Sequence, residues 1–71
     1  LNGTSIKYAN LAPGDLVFFD TAGRGNITHV GIYVGGGQFI HAPKPGTSVR
    51  IESMASGSYY ARTFVCARRI A

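Results

Sequence analysis

The stretch from Thr28 to Ala42 constrains this chain more than any other. Thr28-His29-Val30-Gly31-Ile32-Tyr33-Val34 is rich in β-branched and aromatic residues, which suit a pleated, half-buried surface. Side chains alternate across a strand, so Val30, Ile32 and Val34 share one face while His29, Gly31 and Tyr33 share the other. Gly35-Gly36-Gly37 then supplies the conformational freedom of a tight reversal. Gln38 to Ala42 reads as the returning strand, with Phe39 and His41 on one face. A lone hairpin is marginal in water, so the rest of the chain must extend it into a sheet.

The flanking sequence offers such strands. Leu1 to Leu11 is mixed and polar and suggests no element. Ala12-Pro13-Gly14-Asp15 is a turn signal, and Asp15 reads as a turn residue. Leu16-Val17-Phe18-Phe19 is a short apolar run, expected as a strand buried on both faces. Thr21 to Asn26 is a glycine-containing loop. Pro43, Pro45 and Gly46 break the pattern, Ser48 to Glu52 alternates as a fourth strand, and Ser53 to Ser58 is a polar loop. Tyr59 to Ile70 reads as a final strand, bent or bulged. No repeat and no amphipathic helix is evident. The expected fold is mainly β: a small antiparallel sheet or partial barrel of about five strands, with residues 1–71 as one unit.

A domain of 71 residues buries only about 60% of the surface its unfolded chain exposes. Charged residues make up 14% of the chain, against roughly 25% in ordinary domains. Some apolar surface is therefore expected to meet a partner or a missing part. The net charge of +4 favours anionic partners, although Arg68 and Arg69 form the only adjacent basic pair. With the single cysteine Cys66, no internal disulfide is possible. No run approaches the roughly 18 apolar residues of a membrane span. No signal peptide is visible, and the chain opens on Leu1 rather than Met, as a processed or excised piece would.

His29 and His41 are the residues with most chemical content. They stand near symmetric positions about the triglycine turn, on the same face of one hairpin. Two imidazoles so placed can act as a base and its orienter: one takes a proton from a nucleophile while the other fixes its tautomer. Spacing alone leaves the alternative of two half-buried structural histidines equally open. Two histidines without a nearby carboxylate make a poor metal ligand set, so neither metal nor cofactor is expected. The glycine run lacks the strand-loop-helix context and the Lys-Ser/Thr of a phosphate loop. Tyr59, Tyr60, Arg62, Arg68 and Arg69 admit a weak nucleic-acid reading on a small barrel. Cys66 lies within Phe64-Val65-Cys66-Ala67, a strand interior, where a small hydrophobe is expected rather than a nucleophile.

Leu11-Ala12-Pro13-Gly14-Asp15-Leu16-Val17-Phe18-Phe19, His29-Val30-Gly31-Ile32-Tyr33-Val34-Gly35, Phe39-Ile40-His41-Ala42-Pro43 and Ala67-Arg68-Arg69 together resemble the NlpC-type family of papain-like cysteine peptidases. The resemblance runs in order over nearly the whole chain. It implies an antiparallel sheet preceded by a helical part, and hydrolysis of peptide bonds in the stem peptides of bacterial peptidoglycan. It implies that His29 is the general base and His41 the polar residue that orients it. The family's nucleophile stands upstream, at the start of a helix in an Asp-Cys-Ser-Gly-like motif that this chain lacks, and no role carries over to Cys66. The resemblance thus implies the sheet half of an α+β enzyme, inert alone and located outside the cell or at the wall. Its partners would be stem peptides and either the missing helical half or a second copy covering a bare sheet face. A wall-binding module without catalysis is the alternative.

Overall fold

The computed structural model describes residues 3–42 and 46–70. Six strands form one open antiparallel sheet: β1 (Thr4–Ile6), β2 (Leu16–Phe19), β3 (His29–Gly35), β4 (Gln38–His41), β5 (Arg50–Ser53) and β6 (Phe64–Arg69), in the order β1-β6-β2-β3-β4-β5. A five-residue helix, α1 (Tyr59–Thr63), precedes β6. The sheet does not close into a barrel, and β1 and β5 are its edges.

The expected strands are present, and two assignments change. Thr4–Ile6, within a segment read as featureless, pairs with Ala67 to Arg69 and adds a sixth strand at one edge. Two polar residues and Ile6, which packs against the core, are too short a run at an edge to show alternation. The stretch from Tyr59 to Ile70 begins as helix and becomes strand only at Phe64. Ser58 starts the helix: its hydroxyl accepts the Ala61 N–H at 3.1 Å, satisfying a donor of the first turn. The turn read at Pro43 and Pro45 lies outside the described residues.

β2 is the central strand and fits its apolar sequence, with Val17, Phe18 and Phe19 all buried. Val17 faces Gly31 on one side and Ala67 on the other, while Phe19 faces His29 and Phe64. Val17, Phe19, Phe39, Met54 and Ala67 make the core on this inner face, with Tyr33, Tyr60 and Phe64 packed against it. The outer face is different. Val30, Ile32 and Ile51 are 48%, 45% and 56% exposed, which leaves an apolar stripe across β3 and the β5 edge.

The turn before β2 also locks the far end of the chain. Pro13 and Gly14 occupy its corner, with Gly14 at φ +97°, and the Asp15 N–H closes it on the Ala12 carbonyl at 3.1 Å. The Asp15 carboxylate accepts the Ala12 N–H at 2.9 Å and both Nε and an Nη of Arg69, at 2.8 and 2.9 Å. Asp15 is therefore a turn residue and also the buried anchor of β6.

Candidate active site

The hairpin turns on Gly36 and Gly37, whose φ angles of +62° and +75° suit a two-residue reversal that matches the strand twist. Tyr33 supports it from below, its hydroxyl accepting the Gly37 N–H at 2.9 Å. The register pairs Ile32 with Ile40 and Tyr33 with Phe39. Continued one residue, it sets Gly31 across from His41, so His29 lies diagonal to His41 on the inner face, within reach of long side chains.

The two imidazoles meet. His29 Nε2 and His41 Nδ1 are 2.5 Å apart, and the rings cross almost perpendicularly at 79°. His41 is 4% exposed and His29 is half-buried. Gly31, between them in the register, leaves room for Phe39: a Cβ there would collide with the Phe39 ring and come within 3.0 Å of the Ile40 carbonyl. Phe39 lies against His41 with centroids 4.6 Å apart, and Tyr60 on α1 packs edge-on to His41 at 5.4 Å and within 6.3 Å of His29.

Burial and the neighbouring His41 hold the His29 pKa below the usual 6.5, so the ring favours its neutral, proton-accepting form near neutral pH. His29 Nδ1 makes no hydrogen bond among the described residues, which leaves it free for a group supplied from elsewhere. A half-buried neutral imidazole, held through one nitrogen and open at the other, is the geometry of a general base.

One participant carried no motif. Glu52 on β5 stands opposite Phe39, on the inner face, and its Oε2 lies 3.2 Å from His41 Nε2. The signal for it is an inward-facing carboxylate on the strand after the second histidine. Tyr60 was likewise hidden by the strand reading of its segment.

Cys66 faces the other way. It pairs with Phe18, which pairs with Val30 on the outer face, while Phe19 and His29 share the inner one. The sheet itself separates its sulfur from both imidazoles. The aromatic and basic residues that admitted a nucleic-acid surface are also dispersed: Tyr60 packs on the histidines and Arg69 is engaged by Asp15.

A family model described as the NlpC/P60 family matches residues 1–69. The murein DD-endopeptidase MepH of Escherichia coli is 49% identical over 65 residues, covering 92% of this chain and 24% of that protein. The probable endopeptidase NlpC of the same organism is 46% identical over 68 residues, covering 96% of this chain and 43% of the relative. A crystal structure of a Bacillus cereus NlpC/P60 family protein superposes with a TM-score of 0.79 at 37% identity, over 96% of this chain and 22% of that one. The chain thus spans less than half the length of each.

Proposed function

The chain belongs to the NlpC/P60 family, and from that premise we propose that it is the sheet half of a peptidoglycan hydrolase that cuts stem peptides by a Cys-His-His mechanism. The observation that carries this reading is the His29–His41 contact on the inner face, with His29 Nδ1 left open. The cysteine comes from a helical half outside these 71 residues. In the reaction His29 takes the thiol proton at Nδ1, and the thiolate attacks the amide carbonyl. His29 returns the proton to the departing amine, leaving a thioester. It then draws a proton from water, whose oxygen attacks the thioester and releases the acid and the thiol. His41 keeps the His29 ring in place throughout.

The same reading assigns the outer face a role. The apolar stripe of Val30, Ile32 and Ile51, across the sheet from the histidines, is covered in the isolated chain by a second copy. The place of action is the bacterial wall, outside the cytoplasm. No helix among the described residues is long and apolar enough to cross a membrane.

Two assays test this. The pure chain, incubated with peptidoglycan, releases no muropeptide detectable by mass spectrometry; release would contradict the need for an external cysteine. A chimaera in which this chain replaces the matching stretch of MepH hydrolyses murein, and His29→Ala abolishes that activity. A chimaera that binds murein without cleaving it, whatever stands at position 29, would instead support a wall-binding module.

A further inference from the structure

We propose that Glu52 is a positioning residue that sets the proton arrangement of both imidazoles and so decides which nitrogen of His29 is the base. This rests on the catalytic reading of the His29–His41 pair.

The argument follows from which atoms can donate. An ionised carboxylate only accepts hydrogen bonds. Glu52 Oε2 lies 3.2 Å from His41 Nε2, so that contact is attractive only when His41 carries its proton on Nε2. A neutral imidazole has one N–H, and its other nitrogen then presents a lone pair. His41 Nδ1 must accept, and the group it faces is His29 Nε2, at 2.5 Å. His29 in turn carries its proton on Nε2, and its lone pair is on Nδ1, the nitrogen with no partner among the described residues.

With Glu52 removed, the opposite wiring becomes equally good: His41 donates from Nδ1, His29 accepts at Nε2, and the proton of His29 sits on Nδ1. That form blocks the nitrogen meant to receive the thiol proton. Glu52 thus selects between two arrangements of nearly equal internal energy. Its location suits this task. It faces Phe39 across the β4–β5 ladder and keeps a third of its side chain exposed, beside a buried ring. Once His29 takes up a proton, the same carboxylate, relayed through His41, opposes the positive charge. Tyr60 on α1 and Arg50 on β5 also stand beside the pair. Burial and the Glu52 charge raise the Tyr60 pKa above its usual 10.0, so it stays neutral, and Arg50 lies opposite His41 in the register.

The test is long-range ¹H–¹⁵N correlation NMR of the ¹⁵N-labelled chain above pH 7, where neutral imidazoles report which nitrogen holds the proton. In the wild-type chain both His29 and His41 should appear as the Nε2–H tautomer. Glu52→Gln keeps an acceptor oxygen and should preserve this pattern. Glu52→Met keeps the length without the acceptor and should give averaged, mixed-tautomer shifts at both rings. In the MepH chimaera, Glu52→Met should lower kcat about 10-fold or more with KM nearly unchanged, a share of the 10²–10⁴ that a positioned base supplies, and Glu52→Gln should restore most of it. A wild-type His41 with its proton on Nδ1, or tautomers unchanged in Glu52→Met, overturns the proposal. If the tautomers behave as stated but His29→Ala leaves the chimaera active, the catalytic reading fails and the proton wiring stands.

Discussion

Gly31→Ala adds one methyl group at the centre of the site, and its effect should be destabilising. The sign is informative because two terms oppose each other. Gly31 does not need a left-handed backbone, since it is absent from the glycines with positive φ. On backbone grounds alone, alanine should therefore stabilise by about 0.4–1 kcal/mol through the unfolded chain. Packing argues the other way. The new Cβ would collide with the Phe39 ring and stand 3.0 Å from the Ile40 carbonyl. Phe39 cannot swing clear: it is fully buried, with Phe19, Tyr60 and His41 centroids at 4.8, 4.9 and 4.6 Å. Overpacking of this kind costs about 1–3 kcal/mol. Taken at the middle of both ranges, the net loss should be about 1.3 kcal/mol, which for a domain of this size lowers Tm by roughly 5–10 °C. Thermal unfolding followed by circular dichroism measures it. Adding Phe39→Leu should recover part of the loss, a coupling expected only of residues in contact. An unchanged or higher Tm for Gly31→Ala would refute the packing account of the hairpin.

Acid should unfold the chain partly through Asp15. The Arg69 guanidinium holds its carboxyl below the usual 3.8 despite burial, so this contribution is present above that pH and disappears as pH falls through the lower folded-state value. Asp15→Asn should be less stable at neutral pH and should lose less on acidification, as urea midpoints across pH will show. His29 has its own window. Its folded-state pKa lies below 6.5, so protonation favours the unfolded chain and stability should decline as pH drops below about 6.5. His29→Gln should flatten that part of the Tm–pH curve, and an equally steep curve would contradict the assignment. The apolar outer face should make the isolated chain self-associate, with a sedimentation coefficient that rises with concentration and falls back in Ile32→Lys. Cys66→Ala should leave hydrolysis by the MepH chimaera within twofold of the unsubstituted form, since its sulfur lies across the sheet from His29.

The hairpin was legible in the sequence because alternation, β propensity and three glycines all favour the same structure. The same alternation places His29, Gly31, Phe39 and His41 on one face. The diagonal relation of the two histidines depended on register, which the bulge between Tyr33 and Gly35 shifts. Thr4–Ile6 was not legible, because three residues are too few to show alternation and the strand they pair with, Ala67 to Arg69, lies at the far end of the chain. Tyr59–Thr63 was hidden for a different reason. Two tyrosines and a threonine have strand propensity, and only the Ser58 cap marks a single turn of helix there. Glu52 and the second role of Asp15 both depend on partners far along the chain, 11 and 54 residues away, which local pattern does not show.

The most direct test of the central claim is the rate of murein hydrolysis by the MepH chimaera carrying His29→Ala, measured beside the unsubstituted chimaera at equal, verified folding. If His29 is the base, the rate should fall by about 10²-fold or more, with murein binding retained. A His29→Ala chimaera that cleaves murein at the unsubstituted rate would contradict the account.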